Sequence, residues 1–186
     1  MKFAYISLII SSFFIISCHK ASPLEQHLSC EKTETITLNK LSTDFNKGFS
    51  IQTSKHWKTN LYYDDFQSSI MTADTTQALT KVFIFEAAMY SGALEFTADF
   101  NANILANIDK KEQTVLQENY FKWQEKPAYY SLIKGLKNKH PYQELTIYIN
   151  NSETAYIKAQ IQVYGSENIQ ERLCNSLTLF NTLKIK

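Results

Sequence analysis

The chain predicts a single α+β domain, and three observations carry that reading. Ala155, Ile157, Ala159, Ile161 and Val163 alternate with Tyr156, Lys158, Gln160, Gln162 and Tyr164, and Leu145, Ile147 and Ile149 alternate in the same way upstream. Period-two alternation marks a hairpin with one buried face. Two further segments space their apolar residues for helices: Phe96, Phe100, Ile104 and Ile108, then Ile169, Leu173, Leu177 and Phe180. Finally, Val82, Phe83, Ile84 and Phe85 form a continuous apolar run, as expected of a strand covered on both faces.

The N-terminus has its own pattern. Lys2 precedes an apolar run from Phe3 to Ile16, the charged and hydrophobic regions of a secretory signal. That run is about 15 residues, short of the roughly 20 a membrane-spanning helix needs. It ends in Ile15, Ile16, Ser17 and Cys18, which resembles the lipobox of bacterial lipoproteins. The resemblance implies cleavage before Cys18 and acylation (palmitate or a similar chain) of that cysteine. An ordinary signal cut after Ala21 would place His19 at the position three before the cut, where a small residue is required. Residues 1–17 are therefore expected to be a signal peptide. One acyl chain anchors marginally and two or three anchor stably, so Cys18 is read as a tether to the lipid bilayer.

Residues 18–46 are expected to be a polar spacer, with Ser22, Pro23, Glu25, Gln26 and His27 leading to a short strand near Thr35–Leu38. With Cys18 assigned to lipid, Cys30 and Cys174 are left as an even pair in an oxidising compartment. They can form a disulfide or remain two buried thiols, since cysteine also packs as a small hydrophobe. The polar surroundings of Cys30 favour the bridge.

The domain itself is expected over 47–186. Phe49 and Ile51 begin a strand, and Trp57 leads into Leu61, Tyr62 and Tyr63. Ser69–Ala73 and Lys81–Ala88 follow as strands, then a helix over Leu94–Lys110 with Ser91 as its cap. Strands are expected at Val115–Gln117, Tyr120–Glu125 and Ala128–Gly135, with a break at His140 and Pro141. Asn150–Glu153 supplies the hairpin turn, Ser166 caps the last helix, and Leu183–Lys186 end the chain as a short strand or tail.

This order of elements resembles the PsbP-like superfamily from about Asn46 to Lys186. The residues that carry the resemblance are Phe49 and Ile51, Trp57, Pro127-Ala128-Tyr129, and the closing Thr182-Leu183-Lys184-Ile185. It implies an α/β/α sandwich with a central, mostly antiparallel sheet and two main helices. Some bacterial members, similar to DcrB-type proteins, are envelope lipoproteins of binding or accessory character. Lys55 and His56 stand where the family commonly has proline and glycine.

No catalytic constellation is visible. His19, His27, His56 and His140 are scattered without metal-ligand spacing, and four glycines leave little for a phosphate loop. Asp64 and Asp65 are adjacent, as in a turn. No cofactor or metal is expected. Residues 1–17 include one charge, so removing them takes the formal net charge from +1 to 0, and a neutral chain gives no footprint for nucleic acid. The expectation is a non-catalytic binding or accessory module, lipid-anchored in the bacterial envelope, at the outer membrane facing the periplasm. Tyr148, Tyr156 and Tyr164 lie on one hairpin face and offer a surface for an envelope protein partner, unless a helix covers them. An envelope enzyme with an unrecognised site is the alternative.

Overall fold

The computed structural model describes residues 21–31 and 36–186. Cys18 and the signal assigned to residues 1–17 lie outside the described residues. Ten strands and three helices are seen among them: α1 (Pro23–His27), β1 (Lys40–Thr43), β2 (Phe49–Thr53), β3 (Lys58–Tyr63), β4 (Gln67–Ala73), β5 (Phe83–Ser91), α2 (Ala98–Lys110), β6 (Thr114–Trp123), β7 (Lys126–Lys137), β8 (His140–Ser152), β9 (Ala155–Tyr164), α3 (Ile169–Phe180) and β10 (Lys184–Ile185). Seven strands form one antiparallel sheet in the order β3-β4-β5-β9-β8-β7-β6, and a small antiparallel sheet has the order β1-β2-β10.

The alternation in the sequence becomes the two faces of the large sheet. Ile157, Ala159, Ile161 and Val163 on β9 are fully buried, as are Leu145, Ile147 and Ile149 on β8 and Phe85 and Ala87 on β5. Leu173, Leu177 and Phe180 of α3, together with Phe49 and Ile51 of β2, join these residues in one core. Each of the larger aliphatic and aromatic side chains among them contributes about 2 kcal/mol over leaving it in water. Helix α2 lies on the opposite face, where Phe100 meets the rings of Tyr129 and Tyr148 edge-on at 5.3 and 5.4 Å.

Several elements differ from expectation. The polar stretch after Ala21 folds as α1 instead of a loose spacer. Ser22 caps it, accepting from the Glu25 amide at 3.3 Å while the Glu25 carboxylate accepts from the Ser22 amide at 2.5 Å. Leu24 and Leu28 are buried in the core, which a spacer has no means of doing. Hydrogen bonds from Gln117 to His27 O (2.8 Å), from Gln170 to Leu28 O (2.6 Å) and from Asn181 to Glu25 (3.1 Å) fasten the segment. Of the strand expected at Thr35–Leu38, Thr35 lies outside the described residues and Ile36–Leu38 are in no strand; the first described strand begins at Lys40, where Leu41–Thr43 pair with Ser50–Gln52.

Turn positions shift for a stated reason. His140 and Pro141 sit inside β8, and the reversal is made by Asn138 and Lys139, both at positive φ (53° and 67°). Gln124 and Glu125 (48° and 65°) do the same between β6 and β7. Paired left-handed residues match the twist of a two-residue hairpin, a task usually left to Asn-Gly. The expected strands at Val115–Gln117 and Tyr120–Glu125 are one strand, β6, with a bulge between Val115 and Gln117. Helix α2 is capped by Thr97 instead of Ser91, and Asn168 precedes α3 where Ser166 was expected to cap it. The turn before Trp57 closes without proline or glycine, through the Trp57 amide to Ser54 O at 3.1 Å.

Cys30 and Cys174 are bridged, with Cα atoms 5.5 Å apart across a separation of 144 residues. Closing so long a loop restricts the unfolded chain by several kcal/mol in the chain-entropy account. Reduction, or Cys174→Ser, is expected to cost about 3 kcal/mol and to lower the melting temperature by roughly 10 °C. Thermal unfolding with and without reductant reads this directly, and identical curves would sink it.

Candidate functional site

The second face of the large sheet is the candidate site, because it is enclosed in part and yet lined with polar groups. Alternation places Glu86 and Tyr90 of β5, Tyr156, Lys158, Gln160 and Gln162 of β9, and Glu144, Thr146 and Tyr148 of β8 on this side. Helix α2 lies over β7 and β8 through Phe100 and meets β6 through Asn101, whose Oδ1 accepts from Tyr120 OH at 2.7 Å. A cavity of about 300 Å³ remains beneath it, walled by Ile108, Ser131, Glu144, Tyr148, Lys158 and Gln160. Beyond the helix, Tyr90, Tyr156, Gln160 and Gln162 on the β5–β9 part of the face are half-buried.

The polar groups form a network. Glu144 accepts from Gln162 Nε2 at 2.7 Å, from Gln160 Nε2 at 3.2 Å and from Thr146 Oγ1 at 3.3 Å. Tyr164 OH donates to Gln162 Oε1 at 3.0 Å, and Gln113 Nε2 donates to Tyr142 OH. Lys158 Nζ stands 5.8 Å from the centre of the Tyr148 ring. Burial lowers the pKa of Lys158, against the pull of Glu144 and Glu86. Burial likewise pushes the Tyr148 phenol up to about 12. Tyr90 and Tyr156 are raised as well, for Tyr90 first by burial and then by Glu86.

The three tyrosines singled out from the sequence share this face but not one environment. Tyr148 lies half-buried beneath α2 against Phe100. Tyr164 is 8% exposed and stacks on Tyr142 at 5.9 Å. Tyr156 is half-buried and stacks on Tyr90 at 5.1 Å. The partner that sequence reasoning missed is Tyr90, since its register opposite Tyr156 requires knowing that β5 pairs with β9.

A second, larger cleft of about 480 Å³ lies at the start of α3, beside Trp57, Asp74, Lys81, Glu171 and Arg172. Two of its charged groups, Arg172 and Asp74, are committed to the fold. Arg172 is 6% exposed, and its Nη1 donates to Val82 O and Tyr164 O at 3.1 and 2.9 Å. The Asp74 carboxylate accepts from the Thr76 hydroxyl at 2.6 Å and the Thr76 amide at 2.9 Å, which hold it below the usual carboxylate range. Among the described residues no three His, Cys, Asp or Glu side chains gather as a metal site.

No protein-family model and no curated protein matches the chain. Among solved structures, cyanobacterial PsbP (CyanoP) from Synechocystis superposes with a TM-score of 0.57 at 9% identity, over 82% of this chain and 95% of that one. The fold is PsbP-like. A crystal structure from Bacteroides thetaiotaomicron matches with a TM-score of 0.52 at 13% identity, over 81% of this chain. This chain spans 49% of the length of that protein. At such identities the PsbP-like likeness concerns the fold and carries no residue roles.

Lys158 gives the face a testable signature. Its pKa is depressed in the folded state, so below that folded value both states are charged and the burial penalty is fully present. The penalty fades as pH rises from the depressed value towards 10.5, where the unfolded chain also loses its proton. Lys158→Met is expected to stabilise by about 1 kcal/mol at pH 7, with the gain shrinking as pH approaches 10. Chemical denaturation of both proteins across that range measures the difference, and a destabilised variant at pH 7 would contradict it.

Proposed function

We propose that this chain is a bacterial envelope lipoprotein, anchored through acylated Cys18, whose PsbP-like domain is a non-catalytic binding module for an envelope protein. The observation that supports the binding role best is the half-covered second face, where the stacked pair Tyr90–Tyr156 and the amides Gln160 and Gln162 stand beside the edge of α2. Tyrosines and neutral amides present rigid contact area and adaptable hydrogen bonding at a protein interface. The Lys158 and Glu144 charges beside them favour a partner with mixed polar chemistry. In the larger cleft Arg172 and Asp74 are held by carbonyls and a turn, which favours binding over catalysis there.

The tether in this reading is short. Ser22 already caps α1, so only residues 19–21 separate it from Cys18, a span of at most about 14 Å when fully extended. The domain would therefore work close to the bilayer surface. No helix among the described residues is long and apolar enough to cross a membrane. Periplasm-facing attachment at the outer membrane completes the proposal.

Two measurements test its two halves. Cys18→Ser is expected to abolish acyl labelling and leave uncleaved precursor in cells; normal labelling and processing would refute the anchor. A photoreactive side chain at Tyr156 is expected to cross-link one envelope protein in situ, while the same probe at exposed Leu79 yields none. Equal yields at the two positions, or none at either, would refute the binding face.

A further inference from the structure

The large sheet has two edges, and they are finished differently. At β6 a bulge interrupts the strand and Gln117 reaches across to His27 O behind α1. At β3 no described residue pairs with the outer side, and the strand carries no bulge and no proline. Large apolar side chains crowd this edge: Leu61 is 47% exposed, Tyr62 49%, Tyr63 60% and Phe66 72%, with Phe45 stacked on Tyr63 at 3.8 Å. An exposed apolar edge strand is a template for another strand, and most proteins blunt it.

The hydrogen-bond pattern shows which backbone groups are unused. The Asp64 amide donates to Gln67 O at 2.9 Å, and β3 runs beside β4 in unbroken register from there. Bonded pairs recur at every second residue in an antiparallel ladder, so Tyr62, Asn60 and Lys58 face β4. The N–H and C=O groups of Thr59, Leu61 and Tyr63 therefore point outward.

We propose that β3 pairs antiparallel with β3 of a second copy of this chain, about a twofold axis at Leu61, joining the two seven-stranded sheets into one. The register follows from the outward groups: only this alignment bonds Thr59 to the partner's Tyr63, Leu61 to the partner's Leu61 and Tyr63 to the partner's Thr59. Charge selects the same alignment. Lys55, His56 and Lys58 stand at the start of the strand, and Asp64 and Asp65 at its end. Pairing about Leu61 sets Lys58 directly opposite the partner's Asp64, twice in the dimer, and opposite charges facing across strands stabilise. Neither the anchor at Cys18 nor the Tyr90–Tyr156 face takes part, so this dimer stands or falls separately from the proposed function.

Cysteine cross-linking of the full chain in intact cells tests the register. Lys58→Cys combined with Asp64→Cys is expected to give covalent dimers under mild oxidation, whereas Lys58→Cys alone gives none. Within one chain these positions lie about 20 Å apart along the strand and cannot join. Because the Asp64 carboxylate also holds the turn through the Phe66 and Gln67 amides, Asn60→Cys and Tyr62→Cys carried on two separately tagged copies report the same register without disturbing it. In sedimentation of the detergent-solubilised chain, Leu61→Lys is expected to raise the dimer dissociation constant at least about tenfold by placing like charges on the axis. A wild-type monomer at about 100 µM, a dimer indifferent to Leu61→Lys, or no cross-link from either cysteine pair would each overturn the proposal.

Discussion

The structure depends on the unequal faces of one sheet. Because side chains alternate along a strand, β5, β8 and β9 carry their aliphatic residues on one side and their polar residues on the other, and a slip of one residue would exchange the two. The aliphatic side draws α3, the small sheet and α1 onto itself, since each brings an apolar stripe that has to leave water. The polar side receives α2, whose Phe100, Ile104 and Ile108 stand over it. One layer of the sandwich is thus a packed core, and the other is a wet, partly open surface.

That asymmetry also explains what could be read from the sequence. Strands β8 and β9 and both long helices declare themselves through the period of their apolar residues, and β5 through its continuous apolar run. Helix α1 does not: with five residues and one buried leucine it has no period to detect, and its place depends on a bridge and on hydrogen bonds to distant elements. The reversal at Asn138–Lys139 is similarly hidden, because neither residue type demands positive φ and the neighbouring Pro141 looks like the stronger breaker. For the candidate site, the face shared by Tyr148, Tyr156 and Tyr164 follows from alternation. Their exposure does not, since it turns on where α2 comes to rest and on the pairing of β5 with β9.

Charged groups inside the fold serve mainly as joints. Arg172 has no carboxylate at ion-pair distance among the described residues; it gathers carbonyls from the start of β5, the end of β9 and the turn before α3. A guanidinium, with five donors in a fixed fork, suits three converging chain segments better than any neutral side chain. Glu144 plays the matching part on the polar face by collecting the amides of β9. The PsbP-like likeness is therefore one of framework, and the chemistry that distinguishes this chain lies in how its polar face is finished.

The docking of α1 has a mechanical consequence. A pull on the N-terminal end travels along α1 to Cys30, crosses the sulfur bridge and enters α3 at Cys174, between Leu173 and Leu177 in the core. Residues 31–173, which hold nine of the ten strands, are bypassed by that covalent route. Tension therefore reaches a buried helix before it reaches the sheet, and β1 is not the first element loaded. Under reducing conditions the same pull would reach β1 directly, so the redox state of one bridge sets whether the domain yields as a block or unravels.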